Sequence, residues 1–126
     1  MMTVFDSSAV LAVIFNEKGS EVVEPRLLGG AISTLNYGEV IDRMIASGRD
    51  LADAIRVASR IQLRIIPFDQ AQAERVAELR EPTSPFGLSL CDRACVALAE
   101  RLGAPVMTGD RRWAEAPLPV TVELIR

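Results

Sequence analysis

Four acidic residues, Asp6, Glu39, Asp92 and Asp110, lie in separate stretches of this 126-residue sequence, each where a strand is expected to give way to a helix or where a helix begins. The chain contains no histidine, which excludes Ser-His-Asp and Cys-His nucleophile pairs, imidazole acid–base catalysis and zinc sites built on imidazole. Its chemistry must run on carboxylates, hydroxyls or bound ions. Each acid also has a purely structural use. Asp6 can cap the helix that follows it, Asp92 can close a capping box with Ser89, Glu39 can pair with Arg43 one helical turn on, and Asp110 can serve a turn. Taken together they ask for more. Carboxylates gathered within about 5 Å repel by roughly 3 kcal/mol per pair at an effective dielectric near 20, and the arginines nearby in sequence do not suffice to offset four of them. An all-oxygen donor set favours a hard cation, Mg²⁺ or Mn²⁺, kept partly hydrated. Such an ion either binds a phosphate without cleaving it or activates water for phosphodiester cleavage.

Convergence of these acids depends on the elements that carry them. Thr3 to Phe5 has the apolar character of a short strand, and Asp6-Ser7-Ser8 then offers capping side chains ahead of Val10, Leu11, Ile14 and Phe15 at helical spacing. A helix is expected over Ser20 to Leu28, perturbed at Pro25 and ended by Gly29-Gly30, with a brief strand at Ala31 to Ser33. Tyr37, Val40, Ile41, Met44 and Ile45 mark the next helix, stopped at Ser47-Gly48, and Leu51 to Leu63 forms another. A strand at Arg64 to Pro67 and a helix from Asp69 to about Arg80 precede a breaker-rich segment, Pro82 to Gly87, read as a loop. Ser89 begins a strong helix capped by Gly103, followed by strands at Ala104 to Thr108 and Val120 to Ile125. Strands alternating with helices predict a single α/β domain over residues 1–126, with a central, mainly parallel β-sheet flanked by helices on both faces. In such a sheet every strand ends on the same edge, which is where the four acids fall.

Composition agrees with a soluble core-forming domain and sets a limit on its partners. Apolar residues make up 49% of the chain, enough for a core without disulfides. The net charge is −3, so any nucleic-acid contact needs a local basic patch. Cys91 and Cys95, four apart in an apolar helical pattern, are expected as buried thiols rather than as a disulfide or zinc site. The longest uninterrupted apolar run, Ala9 to Phe15, is too short to cross a bilayer, and a cytoplasmic chain without membrane contact is expected.

Four stretches carry a family resemblance: V-F-D-S-S-A at Val4 to Ala9, S-T-L-N-Y-G-E-V at Ser33 to Val40, G-L-S-L-C-D-R-A at Gly87 to Ala94, and V-M-T-G-D-R-R-W at Val106 to Trp113. In order and spacing they resemble the PIN-domain family, and most closely its VapC-type toxins of toxin–antitoxin pairs. The resemblance implies that Asp6, Glu39, Asp92 and Asp110 bind Mg²⁺ or Mn²⁺ and are catalytic, with Ser7, Asn36 and Thr108 as supporting polar groups. It implies a metal-dependent endoribonuclease in which activated water attacks an RNA phosphodiester in line, leaving a 5′-phosphate. It also implies a structured RNA substrate such as tRNA, a homodimer, and a cognate VapB-type antitoxin that places a basic residue among the acids. Arg93, Arg111 and Arg112 are candidate phosphate contacts because a planar guanidinium matches phosphate oxygens.

Competing readings of an acidic α/β edge fit less well. A phospho-receiver needs a lysine near the phosphoryl group, and the only lysine, Lys18, follows the first helix. A haloacid-dehalogenase-type phosphatase wants an acid two residues after Asp6, where Ser8 stands. Neither G-x-G-x-x-G nor a P-loop motif occurs. The alternative that stays open is a catalytically inactive PIN-like module that binds RNA or protein without cutting.

Overall fold

The computed structural model describes residues 2–126. Its five strands are β1 (Val4–Phe5), β2 (Ala31–Ser33), β3 (Arg64–Ile66), β4 (Val106–Thr108) and β5 (Val122–Leu124). They form one sheet in the order β3-β2-β1-β4-β5, and every pairing is parallel. Seven α-helices accompany it among the described residues: α1 (Ser7–Ile14), α2 (Ser20–Leu27), α3 (Thr34–Ala46), α4 (Leu51–Arg60), α5 (Gln70–Glu78), α6 (Arg80–Thr83) and α7 (Leu90–Leu102). Because β2 and β3 lie on one side of β1 and β4 and β5 on the other, the chain reverses direction at β1. The crevice beyond the carboxyl ends of β1 and β4 is therefore the topological switch point, the favoured ligand position of open α/β sheets.

Strand alternation divides the core into two layers. Val4, Ala31 and Val106 point to one face, where they pack with α5, α7 and Trp113. Their neighbours Phe5, Ile32 and Met107 point to the other, against α1, α2, α3 and α4. Burying side chains of this size contributes about 1.5–3 kcal/mol each. Gly30 shows how tightly β1 and β2 are seated, since a Cβ there would collide with the Phe5 ring and come within 3.0 Å of the Thr3 carbonyl oxygen. The edge strand β3 is open to solvent over most of its length, Arg64 and Ile65 being exposed and Ile66 partly covered.

Two expectations are corrected. Pro82 to Phe86 is helical rather than a loop, taking in the second half of α6 and a 3₁₀ turn at Ser84–Phe86, with Gly87 closing it in the left-handed conformation. Proline needs no amide donor in the first turn of a helix, and the Thr83 hydroxyl donates to the Leu79 carbonyl at 2.7 Å, so the short helix tolerates Pro82. Cys95 is buried, but Cys91 is only partly covered; both thiols are free. Several elements are also shorter than their sequence signals, α4 ending at Arg60 and β5 starting at Val122.

Candidate functional site

Backbone register brings the first two acids of the edge into place. Phe5 is level with Met107, so the next residues, Asp6 and Thr108, are neighbours at the ends of β1 and β4. The Thr108 hydroxyl donates to Asp6 Oδ2 at 2.8 Å, and the Ser8 hydroxyl donates to the same oxygen at 2.6 Å. Asp6 occupies the N-cap position of α1, yet its side chain makes no capping bond. It turns inward and is 4% exposed, and its second oxygen, Oδ1, is buried without a partner. Burial is the largest influence on this carboxyl. Opposed by the Ser8 and Thr108 hydroxyls and reinforced by the negative charges of Asp92 and Glu39, it pushes the pKa up to about 6.

Asp92 enters from the start of α7. It closes the capping box, accepting from the Ser89 amide at 2.8 Å while its own amide donates to Ser89 Oγ at 3.2 Å. Burial raises its pKa against these bonds, and the charges of Glu39 and Asp110 raise it further. Asp110 sits after β4 and accepts from Arg112 Nη2 at 2.6 Å and from Arg112 Nε at 3.0 and 3.2 Å, a forked pair that holds its pKa below the usual range. Glu39 accepts from Asn36 Nδ2 at 3.1 Å. No ion pair with Arg43 is present among the described residues. Asn36 is fully buried; its amide also donates to the Cys91 carbonyl at 3.0 Å, and its Oδ1 is another buried oxygen without a partner.

The four acids therefore feel one another across a single sheet edge, but each has an oxygen engaged by the protein itself. Among the described residues no three acidic or cysteine side chains stand close enough to hold a metal ion in these rotamers. Donor chemistry nonetheless fits a hard cation: the set is all oxygen, and Asp6 Oδ1 and Asn36 Oδ1 are buried acceptors with nothing to accept from. Cys91 adds no thiolate. Burial, with Glu39 and Asp92 next in effect, pushes its thiol up to about 11, and burial raises Cys95 well above its ordinary value.

The remaining residues singled out by sequence separate by position. Thr108 bonds Asp6 directly, whereas Ser7 is half-buried at the start of α1 and the hydroxyl on Asp6 belongs to Ser8. Ser8 was not among the expected groups; its signal was its place two residues after an acid at a helix start. Arg112 lies on Asp110, Arg111 donates to the Arg126 main-chain oxygen at 2.9 Å, and Arg93 donates to the Val76 carbonyl of α5 at 2.8 Å.

Comparison with known proteins agrees with this architecture. The PIN domain family model matches residues 3–118. A chain of a toxin–antitoxin complex from Klebsiella pneumoniae is similar at 20% identity with a TM-score of 0.76, over 100% of this chain and 98% of that one. A chain of DNA-bound VapBC from Salmonella typhimurium is similar at 19% identity and a TM-score of 0.74, covering 99% of this chain and 98% of that one. For VapBC-5 from Mycobacterium tuberculosis the values are 21%, 0.61, 99% and 98%. No curated protein matches the sequence. The parallel sheet reversing at β1, the acids arrayed along its carboxyl edge and a family match over nearly the whole sequence lead to one assignment: the chain belongs to the PIN domain family.

Proposed function

We propose that this chain is the ribonuclease toxin of a toxin–antitoxin pair, an endoribonuclease that requires Mg²⁺ or Mn²⁺. The observation that carries the reading is Asp6: a carboxylate buried at the switch point, opposed by other acids and left with an unpartnered oxygen. A group in that state is costly unless a positive charge shares its site. Asp6, Asp92 and Asp110 would hold the divalent ion, with Glu39 and Asn36 completing or orienting its shell. The bound ion supplies the positive charge that activates water and stabilises negative charge building on an RNA phosphodiester. Thr108 and Ser8 fix Asp6 Oδ2 so that Oδ1 faces the reaction; Asn36 fixes Glu39. Asp92 and Asp110 must turn from Ser89 and Arg112 toward the ion, and the released Arg112, with Arg111, is then available to phosphate. In the metal-free chain burial pushes the Asp6 carboxyl up to about 6, so protons compete with the ion for this group and ion binding should weaken as pH falls.

An antitoxin is the expected protein partner, and the solved toxin–antitoxin complexes of similar fold support it. Its mode of inhibition would be a basic side chain among the acids, as Arg112 already does to Asp110. Ile45, Leu51 and Ile55 leave apolar surface open on α3 and α4, which supports a docking or homodimer face there. No helix among the described residues is long and apolar enough to cross a membrane. One observation favours the non-cutting module instead, the occupation of Asp92 and Asp110 by protein hydrogen bonds. Induced expression separates the two. The toxin reading predicts growth arrest by the native chain that Asp6→Asn abolishes at equal protein level; growth unaffected by either overturns it.

A further inference from the structure

Beside the acid edge is a cleft of ≈ 240 Å³ between α1, α3 and the residues after β5, with Leu11 and Phe15 as its apolar floor. Its polar lining is Ser7, Ser8, Glu17, Arg43 and Arg126, none of the arginines being among those expected to meet phosphate. Ser8 is shared with the acid site, because its hydroxyl donates to Asp6 and accepts from the Gly109 amide at 2.9 Å. The cleft and Asp6 are thus separated by one side chain.

Two separate pieces of backbone bring the arginines there. Arg43 lies one helical turn beyond Glu39 on α3, and its side chain makes no ion pair among the described residues. Arg126 follows from strand register: Thr108 is level with Leu124, which sets residue 126 beside the Thr108-Gly109-Asp110 segment. Its guanidinium lies on Gly109, where a Cβ would come within 2.9 Å of Nη2 and 3.0 Å of Cζ. Its Nη1 donates to the Lys18 carbonyl at 3.0 Å, so the group is fixed but keeps further donors. Glu17 is the opposing acid, 3.7 Å from Arg126 and too loosely placed for a good hydrogen bond. Two guanidiniums against one carboxylate leave the cleft positive, on a chain whose net charge of −3 otherwise repels a polyanion.

We infer that this cleft is a phosphate subsite for the RNA strand, holding through Arg43 and Arg126 the phosphodiester adjoining the one placed at the acids. The inference rests on the ribonuclease reading for the identity of the strand. Anisotropy of an end-labelled single-stranded RNA, titrated with the full chain in EDTA so that no strand is cut, tests it. Arg43→Gln with Arg126→Gln should weaken binding roughly tenfold, as expected for charge-assisted contacts to one anion. The slope of log affinity against log salt should fall by about 0.7, one phosphate contact on a single strand. Glu17→Gln should tighten binding. Arg101→Gln, at the far end of α7 and paired with Asp69, should change nothing. Arg43→Gln alone, which breaks no ion pair among the described residues, should show part of the loss with an unchanged circular dichroism spectrum. Native affinity and slope in the double variant, or an equal loss in Arg101→Gln, overturns the subsite. RNA bound through the arginines but never cut with Mn²⁺ would leave the subsite standing and remove the nuclease reading. RNA cut with a KM unaltered by the double variant would do the reverse.

Discussion

Replacing Asp6 by asparagine should stabilise the metal-free protein, although it removes the group on which activity depends. Asp6 has an ordinary carboxyl pKa of 3.8 when unfolded and about 6 when folded. The folded chain therefore holds its proton more tightly than the unfolded one. Below 3.8 both states are protonated and there is no penalty; as pH rises toward 6 the unfolded chain ionises first, and native stability falls. Above 6 the loss is complete, and the gap between the two values corresponds to ~3 kcal/mol. Asparagine does not titrate. Its amide can keep an oxygen for Ser8 and Thr108 and put nitrogen where Oδ1 has no partner, much as the protonated acid does. Lowered carboxyls elsewhere, Asp69, Glu100 and Asp110, gain stability in the opposite direction as pH rises, but they occur in both proteins and cancel. Urea unfolding followed by circular dichroism in EDTA, at pH 4 and pH 7.5, reads the difference. Asp6→Asn minus native should grow by ~2.4 kcal/mol between the two pH values, the unfolded carboxyl being already partly ionised at pH 4, a midpoint shift of about 1–2.4 M at a urea slope of 1–3 kcal/mol/M. A difference that stays constant within ~0.5 kcal/mol, or one that changes sign, would refute the picture of an uncompensated buried carboxylate.

Other perturbations act on the groups around it. Arg112→Gln releases Asp110, so its carboxyl pKa should rise toward the ordinary range, as seen by NMR titration, and Mn²⁺ affinity by calorimetry should increase. Its effect on stability should not exceed ~1 kcal/mol because the guanidinium is 56% exposed. Thr108→Val deletes a buried donor to the Asp6 carboxylate; urea unfolding at pH 7.5 should show a loss of about 1–3 kcal/mol that shrinks toward pH 4. Ser89→Ala breaks the capping box of α7 and should lower stability by ~1 kcal/mol in thermal melts at neutral pH, a loss that shrinks as acid protonates Asp92, whose ionised form the Ser89 hydroxyl favours.

The sequence makes the scaffold and the acids legible for a physical reason. Apolar runs such as Val4-Phe5 and Val106-Met107, each followed by a polar helix start, mark strands whose ends share an edge, and parallel order then carries Asp6 and Asp110 to the same crevice. Asp92 could be read both as a capping group and as a site acid, and its geometry joins the two, with one carboxylate closing the Ser89 box within range of Glu39 and Asp110. Rotamer and register are what local patterns do not contain. Arg93 follows Asp92 in sequence but, on a helix, the next residue points about a quarter-turn away, and its guanidinium reaches α5. Arg126 is sixteen residues from Asp110 and reaches Gly109 only because β5 pairs with β4 in one particular register. Arg43 was visible as a partner for Glu39 at helical spacing, yet Asn36 takes that carboxylate and leaves the arginine to the cleft. Pro82 marked a break that its first-turn position in α6 does not require.

Cleavage of RNA by the purified chain tests the central claim most directly, with product ends mapped and three conditions compared. With Mn²⁺ or Mg²⁺ the native protein should cut a structured RNA and leave 5′-phosphates; EDTA should stop it, and Asp6→Asn, folded and more stable in the absence of metal, should not cut. Cleavage that persists in EDTA or in the folded Asp6→Asn protein, or native protein that binds RNA with divalent metal present and leaves every strand intact, would contradict the assignment of the acid edge as a metal-dependent ribonuclease site.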